Sequence, residues 1–237
     1  MTWAEPRRDR MRVYIGYDER EKIAYDVAEK TARAWGCDVI PLYEERLRYA
    51  GILTRPTDRR GGLFDLNSNA PQSTEFAISR FAVPIICHAG WCLFADSDTV
   101  FMEDPLEIMV YADPDKAVHV VKHEHINAEG TKMRGQVQTS YSRKLWSSVM
   151  LWNCDHPANK RLNLTTLNQW PGRDLHALKW LADSEIGDLP REANWLVGIA
   201  EKPARPLIAH FTLGTPDMPE RRETVHDDIW WNAKEAA

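Results

Sequence analysis

The sequence predicts an α/β protein with a mostly parallel, Rossmann-like central sheet flanked by helices, and an irregular C-terminal region. Three observations predict it. Residues 11–15 (MRVYI) form a short apolar run, followed by an amphipathic stretch at 20–35 and a second apolar run, Asp38–Leu42 (DVIPL). Strand, helix, strand is the opening unit of a doubly wound sheet. Trp91–Ala95 (WCLFA) is apolar throughout, as expected of a strand covered on both faces. No linker, internal repeat or low-complexity tract divides the chain, so its 237 residues read as one domain, 1–237, with 1–10 as a mobile tail.

Each element has its own signal. In 20–35, Ile23, Val27, Ala28, Ala32 and Trp35 recur at helical spacing, and Gly36 stops the helix. Pro41 places the second strand at a sheet edge or shortens it. Residues 54–72 are rich in Pro, Gly, Asn and Arg, a connection long enough to be mobile or functional. Ser73 or Thr74 caps a helix through Phe76, Ile78 and Phe81. After WCLFA, Asp104 is a predicted N-cap with Pro105 at N1 and Glu107 at N3. Residues 116–121 and 148–152 read as strands, and the polar 122–143 as a long surface loop. Residues 175–182 read as a helical patch, and the chain closes on a tail around His210–Gly214.

Composition narrows the function classes. At 43% hydrophobic and 27% charged residues, the chain is neither disordered nor fibrous. No apolar stretch approaches the ~20 residues of a membrane span. The polar first residues lack a signal-peptide core, so a cytoplasmic location is expected. Thirty Lys and Arg against 35 Asp and Glu give a net charge of -5, which argues against a nucleic-acid coat. The four cysteines form no Cys-x-x-Cys pair and read as reduced core residues. Ten tryptophans are many for this length; most are expected to pack, while Trp146 or Trp180 could offer a flat wall to a sugar or base.

The chemistry concentrates at Asp96-Ser97-Asp98, directly after the apolar strand. Alternate residues of an extended chain share a face, so both carboxylates can address one ion beyond the carboxyl end of the sheet, where open α/β folds bind ligands. Two oxygen donors suit Mg²⁺ or Mn²⁺, which hold diphosphates; the alternative is a polar turn. Asp18 follows the first strand at the equivalent position, where a carboxylate can accept from a base or ribose or serve as a turn residue, and Gly16 allows close backbone approach. No Gly-x-Gly-x-x-Gly or Walker loop occurs, so nucleotide binding would rely on metal and side chains. His210, far downstream, can complete two carboxylates on an ion or be structural. His123-Glu124-His125 is a weaker metal pattern in a polar stretch.

Taken in order, 15–18 (IGYD), 78–84 (ISRFAVP), 93–100 (LFADSDTV), 148–153 (SVMLWN) and 210–216 (HFTLGTP) resemble family 8 glycosyltransferases and their bacterial and phage relatives. The resemblance spans about 11–217. It implies a GT-A fold, a uridine-type nucleotide-sugar donor, Mn²⁺ or Mg²⁺, and transfer of a hexose-type sugar with retention. It divides the chain into a nucleotide-sugar half, 11–110, and an acceptor half, 111–237. By position it makes Asp96, Asp98 and His210 the metal ligands. Gly16, Tyr17, Asp18, Arg80, Ser97 and Gly214 join the two aspartates as donor-binding residues. The family's diphosphate-binding Lys after the closing motif is absent, since Thr215-Pro216-Asp217-Met218 stand there. A substitute is expected from Arg55, Arg59, Arg60, Lys132, Arg134, Arg143 or Lys144, which could also meet an anionic acceptor. Its Asp-Gln-Asp stretch survives at best as Asp174-Leu175-His176, making Asp174 and His176 the candidate catalytic residues, with Lys179 in support.

The chemistry implied is loss of a nucleoside diphosphate through an oxocarbenium-like transition state, with the ion at Asp96, Asp98 and His210 absorbing charge on the leaving group. Glycan, lipid-linked sugar, protein or a modified nucleic-acid base are all compatible acceptors. Two other readings stand beside this one. Asp96-Ser97-Asp98-Thr99-Val100 also fits the nucleophile strand of haloacid-dehalogenase-type phosphatases, although about 90 residues precede it. A catalytically silent nucleotide-sugar binder is the non-enzymatic reading.

Overall fold

The computed structural model describes residues 10–123, 131–132, 136–137, 143, 145–219 and 221–236. The expected tail at 1–9 and the residues Glu124, His125, Arg134 and Lys144 lie outside them, as does the Lys132 side chain.

In chain order, β1 (Arg12–Gly16) leads through α1 (Lys22–Ala34) to β2 (Asp38–Leu42) and α2 (Glu44–Tyr49). Three two-residue strands follow: β3 (Thr57–Asp58), β4 (Phe64–Asp65) and β5 (Ala70–Pro71). Then come α3 (Phe76–Ser79), α4 (Val83–Cys87), β6 (Trp91–Ala95), β7 (Thr99–Phe101) and β8 (Val118–Val120). Next are β9 (Thr131–Lys132), β10 (Gln136–Val137), β11 (Val149–Asn153), α5 (Leu164–Gln169) and α6 (Gly172–His176). The chain ends with β12 (Ile186–Asp188), β13 (Trp195–Leu196), β14 (Ile208–His210) and α7 (Asp227–Glu235).

The central sheet has six strands in the order β12-β8-β11-β6-β1-β2. β2, β1 and β6 run parallel, and β11 lies antiparallel between β6 and β8. Alternation along each strand separates two cores. Tyr14, Cys92, Phe94, Met150 and Trp152 pack on one face beneath α3 and α4. Val13, Ile15, Leu93, Ala95, Val149 and Leu151 pack on the other against α1. A second sheet, β13-β14-β7, carries a third cluster in which Trp195 and Trp230 meet Val27 and Phe211.

Most expected elements are found, with corrections. β11 runs antiparallel: its five residues are buried on both faces, so its composition cannot distinguish the two directions. The 54–72 connection is folded around Arg55 and Asp65, both 1% exposed, with the Arg55 guanidinium also donating to Leu167 O at 2.9 Å and Trp170 O at 2.8 Å. On α1, Ile23 and Trp35 face outward and Tyr25 faces the core. Asp104 caps as expected, accepting from Leu106 N at 2.9 Å, but Pro105–Tyr111 winds as a 3₁₀ helix. The 175–182 patch is helical only where α6 overlaps it, to His176. The expected C-terminal tail at His210–Gly214 begins on the last residue of strand β14 and continues as a turn, and α7 follows, whose sequence gave no strong signal because Trp230 is its only buried residue.

Candidate functional site

A cleft opens beyond the carboxyl end of β6, where antiparallel β11 begins and β14 ends. Its empty space, open solvent included, is about 1030 Å³. Its walls include Arg20, Glu21, Phe76, Arg80, Asp96, Asp98, Ser147, Ser148, His176, Thr212 and Gly214. Asp96 follows β6, Asp98 precedes β7 across a turn, and β14 pairs with β7 so that His210 stands opposite Thr99. Phe211 N donates to Asp98 O at 2.8 Å, fixing that register. One ligand atom each from Asp96, Asp98 and His210 thus converges within 4.8 Å.

The orientation of His210 follows from a directed chain of hydrogen bonds. Ser148 Oγ donates to Leu145 O at 2.7 Å, so it accepts from Asn194 Nδ2 at 2.9 Å. That sets Asn194 Oδ1 as the acceptor facing His210 Nδ1 at 3.0 Å. The second Asn194 amide proton points to His123 Nε2 at 3.0 Å. Burial, reinforced by nearby His210, pushes the His123 imidazole down to about 4, which keeps it a neutral acceptor. In neutral His210 the lone pair therefore sits on Nε2, 3.2 Å from Asp98 Oδ1. Two acceptors so placed call for a cation or a shared proton between them. Two carboxylates, an imidazole nitrogen and a fixed tautomer form a donor set that fits Mn²⁺ or Mg²⁺.

Arg80 is buried behind the aspartates. Its Nη1 lies 2.7 Å from Asp96 Oδ1 and donates to Ser147 O at 2.9 Å, while Nε donates to Phe76 O at 3.2 Å. Its guanidinium rests over the Phe94 and Phe76 rings. Arg80 therefore pairs with Asp96 and fixes its direction at the cleft.

The other expected residues divide. Gly214 lines the cleft with φ +104, a conformation that favours glycine. His176 lines it too, its Nδ1 2.7 Å from Ser147 Oγ. Ser97 is buried and donates to Glu21 Oε2 at 2.8 Å, so it supports the wall rather than facing in. Asp18 is 1% exposed and absent from the lining; it accepts from Arg20 Nε and N at 2.9 Å each and from Glu75 N at 3.0 Å. Burial opposes its ionisation, but these donors hold the carboxyl below its ordinary value. Gly16 has a structural reason: a Cβ there would meet the Phe76 ring at 2.4 Å. Tyr17 packs between Tyr25 and Tyr43, and its hydroxyl bonds Glu19, which pushes it up to about 12.

Asp174 also falls outside the lining, bound to Lys179 Nζ at 2.6 Å. Trp180 is core, stacked on Trp152 and edge-on to Phe81, and Trp146 lies beyond the lining beneath Lys122 and Arg143. Arg55 is consumed by Asp65, Arg59 pairs with Glu75 and Glu44, Arg60 with Asp58, and Arg143 with Asp183. Among the described residues, Arg20 and Arg80 are the arginines at the cleft. Arg20 and Asn194 escaped sequence reasoning, and Ser147 and Ser148 entered it only at the start of the acceptor-side strand, with no assigned role. Arg20 had a signal in its nearness to the β1 end; the others become neighbours only through tertiary contacts. Among the described residues no lysine lines the cleft.

Fold and cleft together define a GT-A-type α/β protein. The chain resembles the galactosyltransferase LgtC, solved with donor and acceptor sugar analogs, at TM-score 0.58 and 15% identity, over 95% of this chain and 96% of that one. It resembles the glycosyltransferase GlyE of Streptococcus pneumoniae TIGR4 at TM-score 0.55 and 16% identity, over 95% of this chain but only 60% of GlyE. No family model matches the chain. Protein CDI of Arabidopsis thaliana is 36% identical over 233 residues, 94% of this chain and 86% of that protein, and the chain belongs to the same family.

Proposed function

We propose that this protein is a divalent-metal-dependent glycosyltransferase, similar to family 8, that moves a hexose-type sugar from a uridine-type nucleotide donor to an acceptor hydroxyl with retention. The observation that carries the reading is the convergence of Asp96, Asp98 and His210 within 4.8 Å at the cleft. Those three residues would hold Mn²⁺ or Mg²⁺. Such an ion supplies Lewis-acid stabilisation of a departing diphosphate.

The chain's own residues do the rest. Arg80 orients Asp96, and Asn194 holds His210 in the ligating tautomer. Arg20, one-third exposed at the cleft and bound to Asp18, takes the part of the missing diphosphate-binding lysine. Gly214 admits the donor to the backbone after β14. His176, braced by Ser147, faces the reacting sugar or the acceptor. On this reading 11–110 binds the nucleotide sugar and 111–237 shapes the acceptor side of a single domain. LgtC and GlyE are glycosyltransferases by name, and that supports the reaction class.

The test is a panel of nucleotide sugars incubated with Mn²⁺ while free nucleoside diphosphate is followed. Metal-dependent release from a uridine-type donor is expected. Phosphate release from simple monoesters, or tight donor binding with no turnover for any acceptor class, overturns the assignment.

A further inference from the structure

Away from the cleft, a second set of metal-ligating side chains converges among the described residues. The sulfurs of Cys87, Cys92 and Cys154 all lie within 4.8 Å of one another. Cys92 is the second residue of β6, so the cluster sits at the opposite end of that strand from Asp96. Cys87 ends α4, which covers this face of the sheet, and Cys154 follows β11 directly.

The strand register argues against a disulfide. Cys92 stands opposite Trp152, and Cys154 N donates to Gly90 O at 2.9 Å, two residues further along both strands. Cys92 and Cys154 are therefore diagonal neighbours on one face. Diagonal Cα atoms lie roughly 7–8 Å apart, beyond the ~4.4–6.8 Å range in which disulfides form. Yet their sulfurs approach to 3.5 Å. A tetrahedral ion with metal–sulfur bonds of about 2.3 Å needs ligand sulfurs about 3.8 Å apart. That is the spacing these side chains approach.

Charge selects the ion. Arg12 Nη1 lies 3.3 Å from both Cys87 Sγ and Cys87 O. Three thiolates, one divalent cation and this guanidinium sum to zero net charge. Soft thiolates select Zn²⁺ over the Mg²⁺ and Mn²⁺ that carboxylates prefer. Cys154 is half-buried and gives the cluster a way in, while Cys87 and Cys92 are buried.

We propose that Cys87, Cys92 and Cys154 form a zinc site, neutralised by Arg12, that ties α4 to the amino end of β6 and the end of β11. Its fourth position goes to a ligand from outside the three cysteines. The site is independent of the proposed transferase activity.

The experiment uses the whole protein, stripped with chelator under reductant and titrated with Co²⁺ as a spectroscopic stand-in. A sulfur-to-cobalt charge-transfer band saturating at one equivalent and displaced by Zn²⁺ is expected. Cys154→Ser and Cys87→Ser should weaken that titration more than tenfold, while Cys37→Ser leaves it intact; circular dichroism confirms that each variant is folded. Asp98→Ala should keep the band, which separates this site from the cleft. Absence of a thiolate band in the native protein, or an unchanged band in folded Cys154→Ser, overturns the proposal.

Discussion

Asn194 tests the electrostatic logic of the cleft more sharply than any ligand does, because it touches no substrate in the account. Replacing it with leucine, similar in size, removes the acceptor 3.0 Å from His210 Nδ1 and the donors to Ser148 Oγ and His123 Nε2. His210 is 1% exposed and Asn194 is fully buried, so water does not replace the lost acceptor readily. One buried N–H left unsatisfied costs about 1–3 kcal/mol; with the weaker losses at His123 and Ser148, on the order of 2–4 kcal/mol of stability should go. Freed from Asn194, the ring can take the other tautomer or turn, and loss of such a supporting contact lowers metal affinity roughly 10–100-fold. Asn194→Asp distinguishes tautomer control from packing. An aspartate still accepts from Nδ1 but donates to neither His123 nor Ser148, so it should lose stability while metal affinity stays near that of the native protein. The assays are urea denaturation and Mn²⁺ titration followed by electron paramagnetic resonance. A folded Asn194→Leu protein that binds Mn²⁺ as tightly as the native one would refute the reasoning.

Three further outcomes follow from the packing and charges. Gly16→Ala drives a methyl into the Phe76 ring and should cost about 1–3 kcal/mol of overpacking strain, read as a lower urea midpoint; because Phe76 lines the cleft, donor affinity should fall with it. Arg55→Met leaves Asp65 as an uncompensated buried charge and should cost about 3–5 kcal/mol, whereas Arg55→Met combined with Asp65→Leu should recover much of that loss in the same denaturation assay. Acidification should weaken the fold through His123: its folded value, about 4, lies below the ordinary 6.5, so the unfolded chain takes up the proton first. That contribution is present above pH 6.5 and is lost as the pH falls toward 4, and His123→Gln should show a shallower decline in melting temperature across the window.

How much of this could be read from the sequence depends on how local each feature is. Asp96 and Asp98 were legible because five apolar residues and the next three carry the signal of a buried strand with two carboxylates at its end, although a turn at Ser97-Asp98, and not the extended chain expected, brings them together. The edge position of β2 was legible from Pro41 alone. His210 was legible only through the resemblance, since its partnership with the aspartates arises from pairing of β14 with β7. Asn194 had no signal, because its importance lies in donor and acceptor directions across three separate segments. Asp18 and Gly16 sat where a ligand-binding strand end belongs, but tertiary structure used them to anchor Arg20 and seat Phe76. The β3–β5 sheet escaped because two-residue strands have no period to read, and its organising centre is a charge pair ten residues apart.

The central claim is that the acidic pair and His210 hold a cation which in turn holds the donor's diphosphate. Calorimetric titration of uridine diphosphate into the native protein and into Asp98→Ala, each with and without Mn²⁺, addresses it directly. Mn²⁺ should strengthen nucleotide binding to the native protein at least tenfold and leave binding to folded Asp98→Ala unchanged. Equal nucleotide affinity with and without the ion in the native protein would contradict it.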